Sequence, residues 1–153
     1  MRITLKSKVN QSEHVVIGKV LKVSKTDVFP DTGLGDWVKE GVIIELQVNE
    51  IFKGSQNYKN LKIHVGTISA TAGFTGYGIK KGDEYIAYLK RKDGFLTLTS
   101  FSGQYLEPIN RDKNEANDVG QNRNKVKLDQ KIKDIEKITN KPKRHNKAVD
   151  STR

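Results

Sequence analysis

Apolar and polar residues alternate in five segments between residues 14 and 108, and no apolar pattern of helix length occurs among them. The first, HVVIGKVLKVSK (residues 14–25), alternates after Gly18 and predicts a long strand with Gly18 as its bend or bulge. Residues 26–40, TDVFPDTGLGDWVKE, carry Pro30, Gly33, Gly35 and several aspartates, which predicts a loop. Phe29 and Trp37 within it imply that the loop folds over one end of the β structure. In GVIIELQVNEIFKG (41–54), Ile44, Leu46, Val48 and Glu50 share one strand face, and Ile43, Glu45, Gln47 and Asn49 the other. Gly54-Ser55 ends that strand. LKIHVG (61–66) turns Leu61, Ile63 and Val65 inward. Residues 67–83 hold Gly73, Gly76, Gly78 and Gly82 and read as an irregular connection. EYIAYLK (84–90) and FLTLTS (95–100) then form a hairpin about Asp93-Gly94.

Five such strands predict a mainly β fold, a five-stranded Greek-key barrel of the OB type spanning residues 1–110. The long, glycine-bent first strand favours a barrel because it can join both halves of a closed sheet. After Pro108 the composition turns to Asn, Asp and Lys, and residues 111–125 read as a linker. In VKLDQKIKDIEKIT (126–139), Leu128, Ile132, Ile135 and Ile138 form one helical stripe opposite a charged face. A helix this short is marginal alone, so docking on the barrel is expected; its basic face would also suit an anionic membrane surface. Residues 140–153 read as a basic, disordered tail.

The formal net charge of the 153 residues is +10. Up to Asn110 there are 15 Lys/Arg against 11 Asp/Glu, and beyond it 13 against 7, so the tail carries the larger excess. Such a tail aids solubility and can also attract nucleic acid or another anionic polymer through charge alone. There is no cysteine, which excludes disulfides and thiolate metal sites but does not fix the compartment. No run of about 18 apolar residues is present, so no transmembrane helix is expected. MRITLKSKVN lacks the apolar core of a signal peptide, which leaves a cytosolic protein or one numbered after a removed leader.

Candidate chemistry is sparse. His14 and His64 have no metal-ligand spacing, and no nucleophile motif occurs. Asp83 and Glu84 are neighbours at a strand entry and point different ways. The glycines from Gly73 to Gly82 lack the Gly-Lys-Ser/Thr ending of a phosphate loop and read as a chain rounding a corner. Tyr85 and Tyr88 have opposite parity, so they form no single stacking platform and at least one belongs to the core. Lys80 and Lys81 beside Tyr77 make the best exposed cationic-aromatic group, with Trp37 as a further ligand-contact candidate.

The strand VVIGKV and the later VNEIFKG resemble the opening of tissue inhibitor of metalloproteinases-like (netrin-like) domains, where a Val-x-x-Gly-x-Val strand precedes one ending in an aromatic-Lys-Gly corner. A stronger likeness lies in TGYGIKKGDEYIAYL, Thr75 to Leu89. Gly76, Tyr77, Gly82, Tyr85 and Tyr88 fit the family pattern there, and Ile79 stands for its Phe. Thr99, Ser100, Ser102 and Gly103 echo a later motif, so the resemblance covers roughly residues 14–108. It implies an OB-type barrel with helices alongside, in which Gly18, Gly76, Gly82, Tyr85 and Phe101 are structural positions. The two family cysteines fall at Thr75 and Phe101, so the expected bridge is absent. Burying the Phe101 ring would return about 1.5–3 kcal/mol, against about 2–4 for a disulfide. Family inhibitors chelate protease zinc through an amino-terminal cysteine, and no such residue exists here.

The resemblance therefore implies a non-catalytic, monomeric module that binds an unidentified protein, needs no cofactor, and works extracellularly or at the cell surface. The alternative from the residues themselves is an OB-type single-stranded nucleic-acid-binding protein using the barrel face and the basic tail.

Overall fold

In a computed structural model, the residues described are 4–33, 35–38, 40–54, 59–67, 78–100, 103–118, 121–140 and 144–145. The fold is mainly β: one antiparallel sheet with a helix near each end of the chain.

Strands β1 (His14–Thr26) and β2 (Glu40–Lys53) are the two longest and pair along almost their whole length. Their register slips three times, once between Ile17 and Gly18. A side chain at Gly18 would stand 3.0 Å from the Gln47 carbonyl oxygen and 3.2 Å from Leu46 Cβ, so close strand approach is what requires the glycine there. Strand β3 (Asn60–Thr67) pairs with the first half of β2, and β4 (Glu84–Lys92) pairs with the first half of β1. Strand β5 (Phe95–Leu98) folds back on β4 through Asp93 and Gly94, both at positive φ (53° and 82°) as a tight hairpin turn demands.

Past β5 the chain crosses to the other part of β4 as β6 (Leu106–Asn110) and continues into β7 (Glu115–Asp118) and β8 (Gln121–Lys127). The order β3-β2-β1-β4-β6-β7-β8 leaves the sheet open: β3 lies alongside β5, but no hydrogen-bonded ladder joins them among the described residues. A two-residue strand, β9 (Arg144–His145), pairs with Glu50 and Ile51 on β2.

Alternation in the sequence matches burial in the strands. Ile44, Leu46 and Val48 are fully buried on β2, and Leu61, Ile63 and Val65 are buried on β3. Strand β4 is buried on both faces from Tyr85 to Leu89, and on its outer side Lys8 and Tyr105 lie against the Tyr88 ring.

Helix α1 (Leu5–Gln11) is opened by Thr4, whose hydroxyl accepts the Ser7 N–H at 3.1 Å while the Ser7 hydroxyl accepts the Thr4 N–H at 3.1 Å. Helix α2 (Leu128–Thr139) buries Leu128, Lys131 and Ile135, with Ile132 and Ile138 partly covered, and packs on α1. Asn114 holds its start: the Asn114 side-chain oxygen accepts the Asp129 N–H at 3.0 Å and its carbonyl accepts the Leu128 N–H at 3.0 Å.

Two expectations for the C-terminal third change. Residues 111–125 are not a bare linker but a turn and most of the β7–β8 hairpin. Among its described side chains Ala116 and Asn117 are buried and Val126 is partly covered, and its sequence lacks the alternation that marks the other strands. Within 140–153, Asn140 caps α2 in the left-handed region and 144–145 form β9; the rest of that expected tail lies outside the described residues.

Candidate functional site

The outer face of β4 and β6 carries a buried polar cluster. Glu107, 3% exposed, accepts from Lys8 Nζ at 2.9 Å and from Lys131 Nζ at 2.8 Å on one carboxylate oxygen. Its other oxygen accepts the Tyr88 hydroxyl at 2.7 Å. Lys8 also donates to the Gln104 carbonyl at 2.5 Å and stands 4.4 Å from the Tyr88 ring centre, while Lys131 donates to the Asn117 carbonyl at 2.5 Å. One carboxylate thus ties α1 and α2 to the sheet. Burial lowers the Lys8 pKa; the charge of Glu107 and its hydrogen bond work the other way, and Lys131 lowers it further. Burial and Glu107 push the Tyr88 phenol well up. Nothing in the strand periodicity marks Lys8 or Glu107. Lys131 had a local signal, since it sits three residues after Leu128 and four before Ile135 on the apolar stripe.

A second ion-pair group lies at the start of the expected linker. Arg111 bonds Glu50 at 2.6 Å and Glu84 at 3.1 Å, joining that turn to β2 and β4.

The loop between β1 and β2 is seated firmly where it is described. Gly41 and Gly66 face each other in the β2–β3 register, and Phe29 lies over both. Val38 and Thr32 close over Gly66. Beyond this slot the Asp31 N–H donates to the Asp93 carboxylate at 3.0 Å, and the Gly33 N–H to Asp31 at 2.9 Å. Phe29 therefore covers the end of the sheet as its sequence position implied. Val28, 53% exposed, is the one large apolar side chain left open among the described residues.

Of the ligand candidates, Lys80 and Lys81 are exposed on a tight turn. That turn is fixed to β1 by the Gly82 N–H donating to the Val20 carbonyl and the Val20 N–H donating to Asp83, each at 2.8 Å. Gly82 has φ +94°, the left-handed backbone that favours glycine. Tyr77 and Gly76 lie outside the described residues, as does Phe101. The backbone of Trp37 ends a single 3₁₀ turn, Gly35–Trp37; its side chain is outside the description. Tyr85 is buried, and burial, reinforced by Asp83, pushes its phenol up to about 12.

His14 and His64 lie on different strands, and burial lowers both their pKa values. No three His, Asp or Glu side chains gather to hold a metal ion among the described residues. The surface cavities lined by described residues include the following three. One lies between the β1–β2 loop and β5, one between β4, β6 and Arg111, and one between β3 and β5. None of them is lined by Lys8, Tyr88, Glu107 or Lys131. No helix of the described residues is long and apolar enough to cross a membrane.

The chain matches no family model, and no curated protein matches it.

The tyrosines give a pH prediction. In the unfolded chain a phenol ionises near pH 10, whereas Tyr85 holds its proton to about 12 and Tyr88 is also shifted up. The stability they contribute is complete below pH 10 and is lost as pH rises through about 12. Phenolate absorbance in an alkaline titration should show Tyr85 ionising late, with Tyr85→Phe removing that step. A titration in which every tyrosine ionises near pH 10 while the fold persists would contradict the assignment.

Proposed function

We propose that this chain is a non-catalytic protein-binding module of netrin-like, OB-type build, recognising its partner through the rim formed by the β1–β2 loop. Strand pairing supports the build. A long bulged β1 pairs with both β2 and β4, β2 with β3, and β4 with β5, and β5 returns beside β3. The observation that carries the function is the seated loop. Phe29 and Val38 lock it into the Gly41–Gly66 slot, Asp31 ties it to Asp93, and Val28 is left facing solvent. A loop held in one conformation loses little entropy on binding, and a rigid scaffold under a loop is where recognition concentrates. The buried Lys8–Glu107–Lys131 cluster has its hydrogen bonds within the fold, which suits a structural role better than chemistry.

The partner is a protein, and the resemblance implies an encounter outside the cytoplasm. Cross-linking of the wild-type chain and of Val28→Asp in the surface-protein fraction of the source cells tests the rim. A charge at a desolvated contact costs on the order of 2 kcal/mol or more, so the variant should lose its partner while keeping its melting temperature. An identical partner set for both chains, or no saturable partner for the wild type, would defeat the reading.

A second reading, single-stranded nucleic-acid binding through the barrel face and basic tail, is favoured by the excess of 13 Lys/Arg over 7 Asp/Glu after Asn110. It predicts affinity that falls steeply with salt.

A further inference from the structure

Strand parity decides what faces outward where β3 and β5 meet. Leu61, Ile63 and Val65 point into the core, so Lys62, His64 and Gly66 occupy the outer face of β3. On the outer face of the hairpin, Phe95 stands opposite Lys92 and Thr97 opposite Lys90, while Arg91, opposite the buried Leu96, has the other parity and is exposed at the strand end. Without a ladder, the contact across the seam comes from side chains. The His64 and Phe95 rings meet with centres 4.9 Å apart and planes tilted by 44°. Both rings are only partly buried.

A cavity of about 370 Å³ opens at this pair, lined among others by Asn60, Lys62, His64, Arg91 and Phe95. Its lining carries two full positive charges and no carboxylate. The nearby acids are Glu13, whose carboxylate accepts the Arg91 N–H at 3.0 Å, Glu45, paired in register with both Lys22 and Lys62, and Asp93, which already accepts the Asp31 N–H. His64 Nδ1 is buried without a hydrogen-bond partner. Burial, and then Lys62, hold the His64 pKa below its ordinary value, so the ring is neutral at pH 7. The other two cavities differ in charge: the one under the β1–β2 loop contains Asp31, and the one beside Arg111 contains Asp83, Glu84 and Asp112.

We propose that the β3–β5 seam is a binding site for a nucleobase with its phosphate, the base against Phe95 and His64 and the phosphate between Lys62 and Arg91. Each part of the ligand answers a feature already present. Aromatic faces accept any base by stacking, and two cations with no competing carboxylate in the lining accept a phosphate. The volume fits one nucleotide, since small-ligand sites begin at about 300 Å³. The assignment deepens the second reading by moving recognition from the tail to a defined place on the sheet, and it is independent of the rim.

Fluorescence anisotropy of the full chain with a short labelled oligothymidylate, at low and moderate salt, tests it. Phe95→Ala should weaken binding roughly tenfold, the loss of one stacked base, and Phe95→Tyr should restore it. Lys62→Gln with Arg91→Gln should flatten the salt dependence by about one phosphate contact. Melting curves identify any variant that has lost its fold; for Phe95, the tyrosine variant then carries the comparison, and retention of binding by Lys62→Gln with Arg91→Gln overturns the site. Thymidine monophosphate, followed by shifts of the His64 ring resonances, distinguishes a free nucleotide from a strand, and either ligand acting through these residues supports the site. Unchanged affinity in all barrel variants would place binding in the tail and overturn the seam while sparing the charge-based reading. Equal competition by inorganic polyphosphate, with Phe95→Ala indifferent, would overturn the stacking role. Absence of binding by both oligothymidylate and monophosphate would overturn the site and weaken the second reading together.

Discussion

Glu107→Gln should cost about 3–5 kcal/mol of folding stability, the range expected when one partner of a buried ionic group is removed. Domains of this size have about 5–15 kcal/mol in total, so the variant should lose a large share of its stability. The amide leaves two ammonium groups, on Lys8 and Lys131, buried without their shared carboxylate, and it weakens the acceptor of the Tyr88 hydroxyl. Lys8→Met is the contrasting variant. It removes the lysine at 0% exposure and leaves a one-to-one Lys131–Glu107 pair, so its cost should be small, on the order of 1 kcal/mol. It should also alter the pH profile. With its pKa lowered, Lys8 binds fewer protons folded than unfolded below the ordinary lysine value, so its contribution to stability rises with pH toward that value. Lys8→Met should flatten that rise. Urea denaturation at several pH values reads all three effects. Equal costs for the two variants would mean that the cluster's charge balance is immaterial.

The parts legible in the sequence are those in which one strand face is buried and the other wet. Ile44, Leu46 and Val48, or Leu61, Ile63 and Val65, record such a face residue by residue, and Asp93-Gly94 records its turn through the positive φ that the hairpin needs. Burial on both faces is harder to read. Tyr85 sinks into the inner face, and Tyr88 is buried on the outer one under Lys8 and Tyr105; α1, which supplies Lys8, is seven residues long with no period of its own. The β7–β8 hairpin stayed hidden because its sequence carries no apolar alternation: of its described side chains, Ala116 and the polar Asn117 are buried and Val126 is partly covered. Glu107 lies 99 residues from Lys8 and 24 from Lys131, and no local spacing encodes a contact of that kind. The His64–Phe95 pair is likewise a product of tertiary approach: parity puts each ring outside, but only the fold puts them together.

Gly41→Ala carries the second large effect, an expected loss of about 1–3 kcal/mol from overpacking. The new methyl would stand 2.5 Å from the Val65 carbonyl oxygen and 2.8 Å from Phe29 Cδ1. The first neighbour is backbone in the paired strand β3 and cannot step aside without loosening the Gly41–Gly66 register. The second is a side chain that can leave, at the expense of the loop's anchor. Phe29→Ala alone should destabilise by vacating the slot. Adding Gly41→Ala to it should cost less than Gly41→Ala costs in the wild type, because one of the two clashes is gone. A double-mutant cycle by thermal or urea denaturation measures that coupling. Additive costs would show that Phe29 does not occupy the slot in solution. The same cycle bears on recognition, since a loop released from Gly41 and Gly66 would present Val28 in many conformations and bind more weakly even where the sheet survives.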